Sequence, residues 1–515
     1  MSGPRSPRTA SDLLFGLVRR GGLAVATGHA LPGWKRGLCR QYGLTPGTVD
    51  VEHYARSAGR PFSSPEDAAF HYLAVGSNRG WSPWPGFSPD DYRRDNPDTV
   101  LAGYEPFAHW SRFGRTEGRG AGAPADSPAP DLRHLLEQRP PDRARASVDV
   151  VVPVFGGRAL ALAAIGSVLE AATREAYELI VVDDASPDPL FQGELVRLAE
   201  AGLITLLVNE RNAGFVGSVN RGMSLHPGRD VVLLNSDTRV FGDWLDRLLA
   251  ALRTPRTATA TPLSNAATIL SYPATLCENR QVSEIDAAHW DRLCAAIDAP
   301  VVEIPTAIGF CMAVSRTCLD QIGTFDQERF GRGYGEENDF CLRASAAGWR
   351  HVAAPGLFVW HRGGNSFGEE RGALITAAQA TLEALHPGYA ASVGRFIRRD
   401  PLEPVRRALD IARIRADPRR KQLCLGPPVA SPAPDVLDIE LVPDLPPYTG
   451  QYRLVPRGFG AVPNLPCWGR STTTTVLASL LKELGIQEFR GGKAGAAFSK
   501  WNGRVRRALE MNGIG

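Results

Sequence analysis

The chain has 515 residues, of which 43% are hydrophobic, enough for two or three domains with a substantial core. Its 58 lysines and arginines nearly balance 55 acidic residues, and the formal net charge of +3 gives no case for nucleic-acid binding. The eight cysteines include no CxxC pair, which favours reduced thiols over a zinc site. The sequence has no run of about 18 apolar residues. We therefore predict a cytoplasmic protein, with peripheral attachment to the inner face of the membrane as the alternative.

The N-terminal part divides into an extension, residues 1–48, and a tandem repeat, residues 49–124. His71 of the first unit recurs 38 positions later as His109 of the second, and an aromatic residue follows each histidine. Two such units predict a small helical accessory module in which the histidines pack rather than react. Residues 125–146 are rich in alanine and proline and are predicted to form a linker.

Residues 147–398 alternate short apolar runs with helical segments, the pattern of βαβ units on a parallel sheet. The predicted strands are residues 148–154, 178–183, 203–208 and 230–235. After residue 398 this alternation stops and prolines become frequent. We predict that residues 399–515 form a Pro-rich linker with one short strand, DVLDIEL, and a short C-terminal tail; a truncated second domain is the alternative.

Polar residues follow the predicted strands of the central region. In an open α/β sheet the ligand lies outside the carboxyl ends of parallel strands, so Asp183 and Asp184, directly after LIVV, are candidate ligand contacts. Capping of the next helix is the alternative for this pair. Asn212 and Gly214 flank another helix start, where backbone N–H groups can approach a phosphate, and a plain helix cap competes with that interpretation.

A third polar group, Asn235-Ser236-Asp237, follows the apolar run VVLL. A carboxylate at this position can bind Mg²⁺ or Mn²⁺, which prefer oxygen ligands and bridge them to diphosphate oxygens. The tripeptide has only one acid, because Asn235 stands where a DxD metal motif has its first aspartate.

A set of segments in chain order resembles an inverting family 2 glycosyltransferase, close to bacterial enzymes that build rhamnose-containing O-antigen chains. The segments are VDVVVPVF, VVDDASPD, NAGF, LLNSDT, TPLSNAATILSYP, GFCMAVSR, GYGEENDFCLRASAAGW and VWHRGGNSF. The similarity covers about residues 147–395. It implies a GT-A fold, an α/β architecture with a Rossmann-like mixed sheet, together with a nucleotide-sugar donor, a Mg²⁺ or Mn²⁺ ion and a carboxylate base. The implied donor-binding residues are Pro153, Val154, Asp183, Asp184, Asn212, Gly214, Asn235 and Ser236.

The same resemblance implies the catalytic and metal-binding residues. It places the acidic pair of the family at Glu336-Glu337, which makes Glu337 the general base that takes the proton of the acceptor hydroxyl. The family usually has aspartate at this position, so Glu336 and Asp339 remain alternatives. His361 coincides with a histidine of the family pattern and is implied as a metal ligand beside Asp237, with a structural role as the alternative.

Together these features predict a metal-dependent inverting glycosyltransferase that acts on a bacterial surface polysaccharide or a related glycan. The expected partners are a nucleotide-sugar donor, a glycan or lipid-linked saccharide acceptor and other polysaccharide-assembly proteins. Because Asn235 and Glu337 depart from the family pattern, an inactive glycan-binding or scaffold protein of the same fold is one alternative. A sugar-phosphate nucleotidyltransferase is another, but it would need a richer phosphate loop than PVFGGRAL provides.

Overall fold

The chain divides into two compact units, Met1–Ala125 and Asp126–Gly515. The computed structural model describes residues 131–279, 282–297, 299–331, 333–363, 371–425, 433–443, 452–456, 462–466, 472–491 and 496–514, together with Phe459 and parts of 39–111. The predicted N-terminal extension lies almost entirely outside the described residues. No described helix has the length and apolar character needed to cross a membrane.

In the first unit, the two halves of the repeat contain the same hydrogen bond. The hydroxyl of Tyr54 lies 2.9 Å from Nδ1 of His71, and the hydroxyl of Tyr92 lies 2.8 Å from Nδ1 of His109. A Cβ on Gly76 would lie 2.0 Å from the Tyr54 hydroxyl oxygen, so the close approach requires glycine there. Both histidines therefore take part in packing. The described helices are α1 (Val51–Ala58), α2 (Pro65–Ala74) and α3 (Pro106–His109).

The second unit begins before the predicted domain start at residue 147. Helix α4 (Leu132–Leu136) lies in the predicted linker, yet Leu135 is fully buried in the main hydrophobic core. A Cβ on Gly166 would lie 2.8 Å from a methyl group of Leu135, which indicates tight packing. Arg143 also donates to the carbonyl of Gly202. A segment that composition alone predicts to be a linker is thus partly integrated in the core.

Within the described residues, this unit contains a nine-stranded mixed sheet with the order β3-β2-β1-β4-β8-β6-β9-β5, and β7 pairs with β9. The neighbours β3, β2, β1 and β4 run parallel, whereas β8 is antiparallel to both β4 and β6. The strands are β1 (Val148–Val154), β2 (Tyr177–Asp183), β3 (Thr205–Val208), β4 (Asp230–Leu234), β5 (Thr238–Arg239), β6 (Thr257–Ser264), β7 (Val302–Ile304), β8 (Cys311–Val314) and β9 (Arg350–His361).

Helices cover both faces of this sheet. Val150 and Val152 of β1 belong to one hydrophobic cluster and Val151 to another on the opposite face, as the two-residue period of a strand requires. Burial on both faces explains why β1 is almost continuously apolar. The helices are α5 (Arg158–Leu169), α6 (Pro189–Glu200), α7 (Gly214–Met223), α8 (Trp244–Leu252), α9 (Glu284–Ile297), α10 (Arg316–Ile322), α11 (Gln327–Phe330), α12 (Glu336–Ala346), α13 (Arg371–Leu385) and α14 (Tyr389–Arg399).

The C-terminal region differs from the predicted linker with one strand. Its described residues form a second sheet of four strands, in the order β12-β11-β10-β13, with a hydrophobic core of its own. The predicted strand DVLDIEL corresponds to β11. The other three strands were not predicted, because the region is rich in prolines, which fall between the strands or at their ends. The elements are α15 (Glu403–Ala416), β10 (Arg420–Leu425), β11 (Val436–Pro443), β12 (Tyr452–Pro456), α16 (Thr474–Leu484), β13 (Glu488–Gly491) and α17 (Ala496–Glu510).

Candidate active site

The carboxyl ends of β1 and β2 bring the first predicted residues to one edge of the sheet. Val154, which follows Pro153 at the end of β1, pairs in register with Asp183, and the carbonyl of Val154 accepts a hydrogen bond from the Asp184 backbone. The Asp183 carboxylate is buried and accepts the backbone N–H of Ser186 at 2.9 Å. The turn that leaves β2 is therefore fixed by the first acid of the pair.

Asp184 holds the loop that leads into α7. Its carboxylate accepts the backbone N–H groups of Ala213 and Gly214 at 2.7 and 2.9 Å, and an amide N–H of Asn209 at 2.7 Å. The side chain of Asn212 accepts the Gly214 N–H as well. Asp184 therefore caps α7, whereas Asp188 caps the next helix, α6. The loop that Asp184 holds lies at the ligand edge of the sheet.

Asp237 and His361 meet although they lie far apart in sequence. Strand β5 pairs with β9 so that Thr238 is opposite His361, and this register sets Oδ1 of Asp237 3.3 Å from Nε2 of His361. Asn235 and Ser236 make the turn between β4 and β5, with the Thr238 hydroxyl donating to the Asn235 carbonyl at 2.7 Å. Both the acid and the imidazole keep a small exposed fraction, 21% and 14%.

The His361 ring is oriented by its surroundings. Nδ1 lies 2.8 Å from the carbonyl of Ala266, so Nδ1–H donates there, and the ring stacks on Phe310 at 5.1 Å. This tautomer leaves Nε2, on the Asp237 side, as an electron-pair donor. A carboxylate beside an imidazole fixed in this way is a donor set that suits Mn²⁺ or Mg²⁺, so these residues fit the implied metal.

The two groups shift each other's titration. Burial alone raises the pKa of Asp237, but the nearby His361 and backbone N–H groups outweigh burial and hold that pKa below its usual range. Burial alone lowers the pKa of His361, and the Asp237 carboxylate outweighs it, so the His361 pKa is raised. A proton on the imidazole is therefore stabilised here, and a divalent cation would be stabilised by the same carboxylate.

The acidic pair Glu336 and Glu337 opens α12, directly after Gly335, whose φ of +94° favours glycine. The Glu336 side chain is buried and is hydrogen-bonded to the half-buried Glu337. Among the described residues, Oε2 of each is shielded from solvent and has no hydrogen-bond partner. Burial raises the pKa of both groups, and the neighbouring charge of Glu337 raises that of Glu336 further. The raised pKa values favour a proton on the pair, because two carboxylates in contact repel each other when both are ionised.

Asp339, the third candidate base, is occupied by other contacts. One of its oxygens accepts from Nε of Arg343 at 2.8 Å, and the other lies 2.8 Å from Nε2 of His386. An oxygen engaged on each side is poorly placed to remove a proton, which argues against the base role. Through His386, Asp339 instead fixes the turn between α13 and α14, where Tyr389 donates to Asn338 at 3.0 Å.

The loop 265–279 contacts His361, and no role was predicted for this loop from the sequence. Oδ1 of Asn265 accepts the His361 backbone N–H at 2.9 Å, and Nδ2 of Asn265 donates to the His361 carbonyl at 2.8 Å. Asn279 in turn donates twice to the Asn265 carbonyl. The segment TPLSNAATILSYP was recognisable in the sequence, but a loop has no periodicity from which such contacts can be inferred.

Another group of potential metal ligands lies at the opposite end of the sheet. Asp149 and Glu178, the second residues of β1 and β2, and His226 bring ligand atoms within 4.8 Å of one another. Nη1 of Arg229, however, lies 3.0 Å from Asp149 and 2.7 Å from Glu178. Since a guanidinium already neutralises these acids, we interpret the group as a structural ion network.

A family model matches the central part of the chain. Residues 149–323 match the family model described as Glycosyl transferase family 2. This match and the mixed α/β sheet confirm the predicted GT-A fold. The match includes Asp183 and Asp237 and ends before Glu336.

Among curated proteins, uncharacterized proteins of Mycobacterium tuberculosis and Mycobacterium bovis are 24% identical over 221 residues, which cover 42% of this chain and 74% of theirs. Among solved structures, GalNAc-T7 with UDP, GalNAc and Mn²⁺ is 18% identical with a TM-score of 0.34, over 43% of this chain and 44% of that one. The chain thus spans less than half of that protein. A mannosyltransferase from Pyrobaculum calidifontis in complex with GDP-Man and Mn²⁺ is 17% identical with a TM-score of 0.36, over 55% of this chain and 81% of that one. Both TM-scores lie below 0.5, so the assignment rests on the family match.

Proposed function

We propose, from the match of residues 149–323 to the glycosyl transferase family 2 model, that the chain is a metal-dependent inverting glycosyltransferase. It moves a sugar from a nucleotide-sugar donor to a hydroxyl of a growing bacterial surface polysaccharide or a related glycan. The observation that carries this proposal is the pair Glu336 and Glu337 at the start of α12, in the same unit as the ligand edge of the sheet. Glu336 is buried, and Oε2 of both residues is shielded from solvent. A buried carboxyl pair with raised pKa values is costly for stability and is typical of acid–base sites.

In the proposed reaction, Glu337 accepts the proton of the acceptor hydroxyl as the hydroxyl oxygen bonds to the anomeric carbon. The bond from that carbon to the diphosphate breaks on the opposite side, so the configuration inverts. A sugar hydroxyl is a weak nucleophile at neutral pH, and a positioned base contributes roughly 10²- to 10⁴-fold to such a step. When protonated, Glu336 donates a hydrogen bond to Glu337, and this bond lowers the pKa of Glu337 and so favours its accepting form.

The donor side of the site is formed by the ends of β1, β2 and β4. Asp183 and the loop capped by Asp184 present polar groups and the N-terminus of α7 to the nucleotide. Asp237 and His361 would hold Mg²⁺ or Mn²⁺, which when bound neutralises the charge that develops on the leaving diphosphate. The acceptor is proposed to be a glycan or a lipid-linked saccharide, and other polysaccharide-assembly proteins are proposed partners.

The test is donor turnover by the full chain. A panel of nucleotide sugars with Mn²⁺ present is scored for release of nucleoside diphosphate, with and without saccharide acceptors. We expect at least one donor to be turned over, and Glu337→Gln to lower transfer by ~10²-fold or more with donor binding retained. Asp339→Asn, the matched carboxyl-to-amide change on the same helix, should act through folding or binding. Failure of every donor would favour the inactive glycan-binding alternative, and loss of turnover only in Asp339→Asn would move the base to that residue.

A further inference from the structure

Helix α14 has an apolar face and a basic face. Tyr389, Val393 and Phe396 are spaced four and three residues apart, so they share one face of the helix. Phe396 packs against the main hydrophobic core, and the Tyr389 hydroxyl donates to the side chain of Asn338 on α12 at 3.0 Å. The apolar face is therefore turned towards the protein, and the opposite face is turned towards solvent.

The solvent face of α14 carries three arginines. Arg398 and Arg399 follow Arg395 by three and four residues, so the three side chains line one side of the helix, and all of them are exposed. None of the three forms an ion pair with another described residue. The sequence of α14 contains no acidic residue either. These positive charges therefore have no counter-charge on their own helix.

The acids nearest to this face in the chain are already engaged. Glu383, the one acid of α13, accepts the backbone N–H of Gly388 at 3.0 Å and so caps the turn between the two helices. After α14, Asp400 and Glu403 each pair with an arginine of α15. The charge of the α14 face is thus left to attract an anion from outside the protein.

Aliphatic side chains are exposed on the same helical hairpin. Ile397, which lies among the arginines of α14, is 38% exposed, and Leu385, the last residue of α13, is 41% exposed. Arginines beside exposed aliphatic groups suit the boundary between lipid and water, where cations contact headgroups and apolar groups enter the acyl region. An anionic lipid surface accommodates both features, whereas a soluble polyanion would use the charge and leave the aliphatic groups in water.

We propose that the basic face of α14 docks the protein on a membrane surface that contains anionic lipids. The turn between α13 and α14 also contacts the first turn of α12, where Nε2 of His386 lies 2.8 Å from Oδ1 of Asp339. Since a helix is about 10–12 Å across, a bilayer on the outer face of α14 lies about one helix diameter from the helix that presents Glu337. A lipid-linked acceptor would then be held near the proposed base; this consequence rests on the proposed function, whereas the docking itself does not.

The experiment measures co-sedimentation of the full chain with lipid vesicles, in the absence of donor and metal. The vesicles consist of phosphatidylcholine alone or of phosphatidylcholine with phosphatidylglycerol, at about 0.1 M and about 1 M salt, where charges are screened beyond about 10 Å and about 3 Å. One variant carries glutamine at positions 395, 398 and 399, and a second carries lysine there, which keeps the charge. Circular dichroism melts confirm that each variant is folded. The control changes three exposed arginines elsewhere in the same unit, Arg139→Gln, Arg197→Gln and Arg292→Gln.

We expect the wild-type chain to bind the anionic vesicles at the lower salt concentration, to lose them at the higher one, and not to bind the neutral vesicles. The glutamine variant should bind ~10²-fold more weakly, because each arginine near an anionic surface contributes roughly five-fold. The lysine and control variants should bind as the wild type does.

Three results would contradict the proposal. Wild-type binding in the glutamine variant, or an equal loss in the control, overturns the assignment to α14. A loss in the lysine variant as large as in the glutamine variant would indicate contacts specific to guanidinium groups and overturns docking by charge. Failure of the wild-type chain to bind anionic vesicles overturns membrane docking and leaves an acidic protein as the partner for this face.

Discussion

A buried hydrogen-bond network joins the loop 265–279 to the C-terminal region, and its strength should depend on pH. The Tyr272 hydroxyl donates to Oδ1 of Asp410 at 2.7 Å and accepts from Arg413 at 3.1 Å. The other oxygen of Asp410 accepts the backbone and amide N–H groups of Asn464, whose amide also donates to the Pro273 carbonyl. Tyr272 and Asp410 are fully buried. Tyr272→Phe removes one hydroxyl from this network and changes little else.

The pKa of Asp410 sets the size and the sign of the effect. Burial raises that pKa from 3.8 to about 6, despite hydrogen bonds that favour the carboxylate. A shift of this size corresponds to about 3 kcal/mol of unfolding free energy, which is fully present below the unfolded pKa and is lost as pH rises through about 6. At pH 8 Asp410 is ionised, and losing a hydrogen bond to a charged group costs roughly 1.5–3 kcal/mol. At pH 5 it is mostly protonated, and the loss costs roughly 0.5–1.5 kcal/mol.

Urea unfolding at pH 5 and pH 8 measures this difference. The matched control is Tyr177→Phe, because Tyr177 is also buried and its hydroxyl donates to the Val168 carbonyl at 3.2 Å, which does not titrate. We expect the free-energy cost of Tyr272→Phe to be larger at pH 8 than at pH 5, and that of Tyr177→Phe to be the same at both. An equal cost of Tyr272→Phe at the two pH values would refute the role given to Asp410.

Two further predictions concern the domain start and the base. A chain that begins at Ser147 should unfold at a lower urea concentration than one that begins at Asp131. The reason is that burial of a leucine such as Leu135 contributes roughly 2–5 kcal/mol to the free energy of unfolding. Coincident unfolding curves would contradict this prediction. In a plot of transfer rate against pH, the midpoint of the acid limb should lie above the ordinary glutamate pKa of 4.5, because burial raises the pKa of Glu337. Glu336→Leu removes the hydrogen bond to Glu337 and should move that midpoint to higher pH. Glu336→Gln can still donate a hydrogen bond and should move it less. A wild-type midpoint at or below pH 4.5 would contradict Glu337 as the base.

The sequence was most informative where side chains follow buried strands. Strand ends in one parallel sheet must share an edge, so the positions of Asp183 and Asp237 at the ends of β2 and β4 could be predicted from the apolar runs before them. The sequence could not predict what each acid contacts. Asp184 faces the N–H groups of a loop 29 residues later in the chain, and Asp339 faces a histidine 47 residues later. A carboxylate in a sequence motif can therefore cap a helix or hold another side chain by a hydrogen bond, and need not bind a metal ion or a substrate.

The remaining part of the site is assembled by loops, which explains why it was not predicted. The contacts of His361 come from Asn265 and Ala266, more than 90 residues earlier, and no apolar period or strand end marks them. The same loop also continues to Tyr272, whose hydroxyl contacts Asp410 in the C-terminal region, 138 residues away. Hydrogen bonds thus run from the C-terminal helix α15 through this loop to the proposed metal ligand. We therefore expect Tyr272→Phe to weaken Mn²⁺ binding as well as stability. Tyr177→Phe, in a strand of the sheet outside this loop, should affect stability alone.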